Sequence, residues 1–243
     1  MITSPTKTDD LAAPKPRATL PPDPNGAVPS GPALPSSKKV TVVKHPVAQH
    51  ALTALRSKLT APHDFRTISN QLLVMLVMEA TRTLPTREES VPGPADVVVG
   101  QTLAKPVVFL TIARQSLGLA HRMADFFPDL LVGSISLGHA EGGQQSVARL
   151  HLPHAPALSD ARVIIFDPIV ATGSSSSRAI NLIRRSGASD ISLVSFVISD
   201  PGLSRVQATF PDLAVWTAAI DFKLDARRGP LPGVGDFAER LYG

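Results

Sequence analysis

Cysteine is missing from all 243 residues, so disulfides, thiolate nucleophiles and cysteine-held metals are excluded from the outset. That absence fits a reducing compartment, and a cytoplasmic location is the expectation. Stacking aromatics are scarce too: there is one Trp and one Tyr, and no basic run stands out. The net charge of +4 would permit nucleic-acid binding but suits an anionic small substrate equally well, and without a basic run or stacking aromatics no nucleic-acid partner is expected. Long apolar runs are also lacking. The longest, residues 72–78, is far too short to cross a bilayer. Residues 1–20 have no apolar core and carry Asp9 and Asp10, so neither a secretory signal nor a membrane association is expected. A Walker-type phosphate loop is excluded because its Gly-Lys-Ser/Thr does not occur.

Proline is plentiful but unevenly spread. Nine of the 23 prolines fall in residues 1–39, which have little apolar periodicity and end in Pro35-Ser36-Ser37-Lys38-Lys39. Such a segment cannot bury enough apolar surface to offset its ordering entropy, so residues 1–39 read as a disordered tail and 40–243 as one domain. Within the domain, Val40-Thr41-Val42-Val43 reads as a strand. Pro46 starts a helix whose buried face is expected at Val47, Ala51, Leu55 and Leu59. Residues 68–78 are apolar almost all round, as in a helix buried on most sides. Residues 86–105 read as turn-rich, with Val97-Val98-Val99 an edge strand. Further strands are expected at 106–112, 130–137, 191–198 and 213–221, and residues 229–240 hold too much Gly and Pro for regular structure. Strands alternating with helices argue for an α/β domain with a mainly parallel central sheet flanked by helices.

One stretch organises the rest. Arg162-Val163-Ile164-Ile165-Phe166 reads as a buried strand, Asp167 follows at its carboxyl end, and a turn rich in small hydroxyl residues leads into a helix expected from Arg178. Strand, small-residue loop and helix make an anion site: the first N–H groups of a helix are unpaired, its dipole is positive there, and small side chains admit a phosphate. Thr172, Ser174 and Ser175 add hydroxyl donors. Asp167 cannot bind a phosphate but can accept hydrogen bonds from the hydroxyls of an attached sugar. A serine-rich capped turn with no ligand is the alternative reading of the same residues.

Asp167-Pro168-Ile169-Val170-Ala171-Thr172-Gly173-Ser174-Ser175 resembles the phosphoribosyl-diphosphate loop of type I phosphoribosyltransferases. The Pro directly after the Asp resembles the uracil phosphoribosyltransferase form of that loop. Residues 44–56, Phe65-Arg66 and Glu79-Ala80-Thr81-Arg82 resemble the same family's opening, and residues 229–240 resemble its uracil-binding segment. The resemblance implies a type I phosphoribosyltransferase fold with a small C-terminal hood and a β-hairpin lid. The implied reaction joins uracil to phosphoribosyl diphosphate, giving UMP and diphosphate. By the same match Asp167 and Arg114 are the catalytic residues. Phosphoribosyl diphosphate is held by Arg114, His139, Asp167, Pro168, Ile169, Val170, Ala171, Thr172, Gly173, Ser174, Ser175 and Asp236. Uracil is held by Pro230, Gly235, Asp236 and Phe237. Mg²⁺ is implied, held mainly through substrate and water with no protein ligand set, and so is a homo-oligomer, a dimer or larger.

The chain also departs from the family pattern. Gln115 and Ser116 replace Ala-Gly after Arg114, His139 stands where the family has a second Arg, and the family's tyrosine-rich hairpin is replaced by residues 146–154. His151 and His154 have no acidic neighbour with which to hold a metal. These changes raise a second reading, a non-catalytic relative that binds phosphoribosyl diphosphate or a nucleotide as a sensor or regulator.

Overall fold

A computed structural model describes residues 39–112, 116–127, 129–138, 148–153 and 156–243. The expected tail therefore lies outside the described residues, apart from Lys39. So do Arg114, Gln115, His139 and His154. In chain order the elements are β1 (Val40–Val42), α1 (Pro46–Arg56), α2 (Pro62–Thr81), β2 (Thr86–Pro92), β3 (Val97–Leu103), β4 (Val107–Ile112), α3 (Leu117–Met123), β5 (Leu131–Leu137) and β6 (Ala148–His151). There follow β7 (Arg162–Phe166), β8 (Ile169–Val170), α4 (Ser174–Arg185), β9 (Asp190–Ser199), α5 (Asp200–Thr209), β10 (Ala214–Asp221), β11 (Lys223–Leu224), β12 (Pro230–Leu231) and α6 (Phe237–Tyr242).

The central sheet runs β1-β10-β9-β7-β4-β5-β6, and the short β8 continues alongside β9. All its pairings are parallel except β5 with β6. Parallel strands are covered on both faces, and β4, with all six residues buried, shows it. Alternate side chains of β7 feed two cores. Ile164 and Phe166 join Leu55, Leu72, Leu76 and Leu241 on one face, while Val163 and Ile165 join Ile180, Ile183, Leu203 and Val206 on the other. Because the strands run the same way, their carboxyl ends share one edge, the usual place for a ligand crevice in an open α/β sheet.

Several elements differ from the sequence reading. The buried face of α1 is Ala48, Ala51, Leu52 and Leu55, with Val47 and Leu59 outside, because Ala48 and Leu52 complete the i, i+3, i+4, i+7 stripe. Helix α2 buries Phe65, Leu72, Leu73, Leu76 and Val77, but Met78 on another face is 56% exposed. Val74 and Met75 line an open groove of about 830 Å³ with Val47 and Phe126. Residues 86–103 are not turn-rich: β2 and β3 form an antiparallel hairpin, separate from the main sheet. The C-terminal stretch ends in a helix, α6, whose N-cap is Asp236, the acceptor of the Glu239 N–H at 3.0 Å. Among the described residues no helix is long and apolar enough to cross a membrane.

Candidate active site

Asp167 sits one residue beyond β7, with its backbone N–H still donating to the Val194 carbonyl of β9 at 3.0 Å. Its side chain is buried and accepts from the Ser176 hydroxyl, Oγ to Oδ2 at 2.6 Å. Burial pushes the Asp167 carboxyl up to about 6, against the lowering effect of the Ser176 hydroxyl and the Ile169 N–H. A carboxyl so displaced, at the carboxyl end of a central parallel strand, is a candidate functional group.

The loop after Asp167 is tied down through its carbonyls. The Pro168 carbonyl accepts from the Phe196 N–H at 3.0 Å and the Ser195 hydroxyl at 3.2 Å, and Ile169 and Val170 pair with Val197 and Ile198. The Ala171 carbonyl accepts from the Ser199 hydroxyl, which in turn accepts from the Gly202 N–H at 2.9 Å. Gly173 caps α4 at φ +71, where a Cβ would lie 2.5 Å from the Gly202 carbonyl oxygen, so this close approach of two backbones requires glycine. Helix α4 begins at Ser174, four residues before its expected start, which puts Ser174 and Ser175 in its first turn with exposed side chains. By helix geometry the N–H groups of Ser174, Ser175 and Ser176 have no intrahelical acceptor. Loop carbonyls held by β9 and α5, and first-turn N–H groups without an intrahelical acceptor, suit an anion at this helix start.

The C-terminal loop is built from a neighbouring strand end. Asp221 closes β10 in register with Ser199 of β9. Its side chain is 3% exposed and is gripped by the Arg56 fork, Oδ1 at 2.7 Å and Oδ2 at 3.0 Å. The same pair holds both backbone groups of Gly233: the Gly233 N–H donates to Asp221 Oδ2 at 2.7 Å, and Arg56 donates to the Gly233 carbonyl at 3.1 Å. Arg240 adds a second fastening. It donates to the carbonyls of Val234 at 2.7 Å, Ser57 at 2.6 Å and Leu55, with its guanidinium 4.3 Å above the Phe65 ring. Pro230 is buried in β12 opposite Leu224, and Gly235 takes φ +77.

The structure thus brings two expected groups to one end of the sheet, residues 167–175 at β7 and β8 and residues 230–237 beyond β10. Strand β12 packs on β9, which also anchors the first loop. The Phe237 ring lies 5.6 Å from Phe65 and 5.8 Å from Phe196, inside the core, so any ligand contact by this residue falls to its backbone. Ser116 is fully buried and its hydroxyl has no partner. Sequence reasoning missed Ser176, Ser199, Arg56, Asp221 and Arg240. A polar residue ending an apolar strand, as Ser199 and Asp221 do, was the available signal. Among the described residues no cluster of three metal-ligating side chains occurs.

A mainly parallel sheet, a donor-lined loop after an acid at the end of a central strand, and a hood from the chain's end define a type I phosphoribosyltransferase fold. The AQ2163 protein from Aquifex aeolicus shares this fold, with a TM-score of 0.75 and 24% identity over 84% of this chain and 97% of that one. The family model described as uracil phosphoribosyltransferase matches residues 42–243. Uracil phosphoribosyltransferases from Clostridium perfringens and Thermosipho melanesiensis are 36% identical over 207 residues and 32% over 206, each spanning 84% of this chain and 98% of the relative. The chain belongs to the uracil phosphoribosyltransferase family.

Proposed function

We infer that this chain transfers the phosphoribosyl group of phosphoribosyl diphosphate to N1 of uracil, giving UMP and diphosphate. The observation that carries the reading is the buried Asp167 followed by a small-residue loop that opens a helix at Ser174, beside a second loop anchored on Asp221 at the end of the strand next to β9. The bond from ribose C1 to the diphosphate oxygen breaks with its electron pair leaving on diphosphate, the N1–C1 bond forms, and the N1 proton is released. Positive charge develops at C1 and negative charge on the leaving group, so positioning and electrostatics supply most of the catalysis.

In this reading Asp167 accepts from the ribose hydroxyls, and residues 171–175 hold the 5′-phosphate through N–H and hydroxyl donors. The carbonyls of Pro168 and Ala171 face β9 and α5, so Pro168, Ile169 and Val170 serve by holding the loop. Arg114 and His139, outside the described residues, are assigned to the diphosphate. Backbone groups around Pro230, Gly235 and Phe237 pair with the uracil edge, with Asp236 between base and sugar. No side chain is an obvious general base. Members of this class work with Mg²⁺; a site whose buried acid is Asp167, with no cluster of three metal-ligating side chains among the described residues, suits an ion held by substrate oxygens and water. Bound there, it would neutralise diphosphate charge. The non-catalytic alternative gains no support from the relatives.

The oligomer is part of the same proposal. Val97, Val98 and Val99 are exposed on the β2–β3 hairpin, and the same chain leaves the α2 groove open. Two uncovered apolar surfaces on one chain suit a second copy of it; a monomer by light scattering at micromolar concentration contradicts this. The activity itself is tested by incubating the purified chain with uracil, phosphoribosyl diphosphate and Mg²⁺ and looking for UMP. Its absence overturns the reading.

A further inference from the structure

Ser176 lies in the first turn of α4, where a serine commonly points to solvent or caps its own helix. Here it does neither: it is fully buried, and its single hydroxyl proton goes to Asp167 Oδ2 at 2.6 Å. That length is at the short end for a hydroxyl hydrogen bond and within the range for a hydroxyl donating to a carboxylate. We propose that Ser176 is a positioning residue of the transferase site, which holds the Asp167 carboxylate by one oxygen so that the rest of it is presented to the ribose hydroxyls. The inference rests on the function proposed above.

The geometry gives Ser176 a task that burial alone would undo. An acid that must accept hydrogen bonds from a diol has to be ionised, since the neutral acid turns one oxygen into a donor. Burial drives Asp167 towards that neutral form, and the opposing influences on it are the Ser176 hydroxyl and the Ile169 N–H. Among the described residues, no charged side chain on the packed elements is among the influences on Asp167. Arg162 of β7 pairs with Asp190 of β9 at the amino ends of the strands. Arg178 of α4 donates to the Gly138 carbonyl, and Arg184 lies over Phe210. Arg185 of α4 and Asp200 and Arg205 of α5 are not among the influences on Asp167. The hydroxyl thus both orients the carboxylate and favours its charged form.

The test compares the full-length wild type with Ser176→Ala, a change that removes the hydroxyl and little volume. The side-chain carboxyl of Asp167 is followed by carbon NMR on aspartate-labelled protein, assigned by the signal lost in Asp167→Asn. Its midpoint, about 6 in the wild type, is expected to rise by roughly one unit in Ser176→Ala, the scale of one hydrogen bond to a charged group. At pH 6 the ionised fraction then falls from about a half to about a tenth. So kcat/KM for phosphoribosyl diphosphate should fall roughly fivefold further at pH 6 than at pH 8.5. A purely structural serine would lower activity equally at both pH values, and that result overturns the proposal. So does an unmoved Asp167 midpoint. If Ser176→Ala fails to fold, Ser176→Cys, which keeps the volume and weakens the donor, is read on the same two scales. A midpoint that rises in Ser176→Ala, together with a wild type that makes no UMP, supports the link from Ser176 to Asp167 and overturns the uracil reading instead.

Discussion

Replacing Asp167 by Asn should stabilise the fold while weakening the site. The Asp167 carboxyl is pushed from its ordinary value of 3.8 up to about 6, chiefly by burial. A folded pKa above the unfolded one means that the folded state holds the proton more tightly. Stability therefore falls as pH rises between about 4 and 6, and the cost is fully present above 6. A shift of roughly two units corresponds to about 3 kcal/mol. Asparagine keeps the shape, keeps one oxygen able to accept from Ser176, and carries no charge to desolvate. Neutral hydrogen bonds are weaker than the charged ones they replace, which trims the gain to about 1–2 kcal/mol, or roughly 2–8 °C in a domain of this size. Thermal melts of wild type and Asp167→Asn from pH 4 to pH 8 would show it: the variant should melt higher at pH 7.5, with the gap closing towards pH 4. Calorimetry should show phosphoribosyl diphosphate binding weaker by roughly 1.5–3 kcal/mol, the scale of hydrogen bonds to a charged acceptor. A variant that melts lower at pH 7.5, or a gap independent of pH, would refute the reasoning.

Further outcomes follow from the structure and the sequence. Arg56→Met leaves Asp221 buried without its partner, so unfolding should become easier by roughly 3–5 kcal/mol in denaturant titration, and Asp221→Leu in the same chain should recover part of the loss. Because the pair also holds Gly233, the milder Arg56→Lys should raise KM for uracil more than KM for phosphoribosyl diphosphate. Gly173→Ala, at φ +71 and against the Gly202 carbonyl, should cost at least roughly 1–2 kcal/mol in stability and weaken phosphate binding by calorimetry. Removing residues 1–38 should leave the melting temperature within a degree or two of the full chain, since the tail's composition offers little to pack; a fall of several degrees would show that it packs on the domain.

The loop after β7 was legible because its signals are local. An apolar β-branched run, an acid, small residues and a periodic helix occupy consecutive positions, and each points to the same unit. The start of α4 was misplaced because four successive serines read as loop, while in a first turn their hydroxyls and small size are at home. Of the β2–β3 hairpin, the strand at Val97-Val98-Val99 was read, and β2 was missed for the opposite reason. Strand β2 is exposed along its whole length, so Arg87, Glu88 and Glu89 carry no alternation for a reader to find. The Arg56–Asp221 pair spans 165 positions, and neither residue is unusual where it stands; only the order of the parallel strands brings them together. Phe237 shows the limit of motif transfer: its position belongs to the base loop, yet its ring completes an aromatic row with Phe65 and Phe196.

The central claim is that residues 167–175 and 230–237 form one transferase site for uracil and a phosphoribosyl donor. Labelled uracil, phosphoribosyl diphosphate and Mg²⁺ incubated with the full chain should yield labelled UMP and diphosphate in equal amounts, with the rate reduced in both Asp167→Asn and Arg56→Lys. Tight binding of phosphoribosyl diphosphate without any transfer to uracil would contradict it.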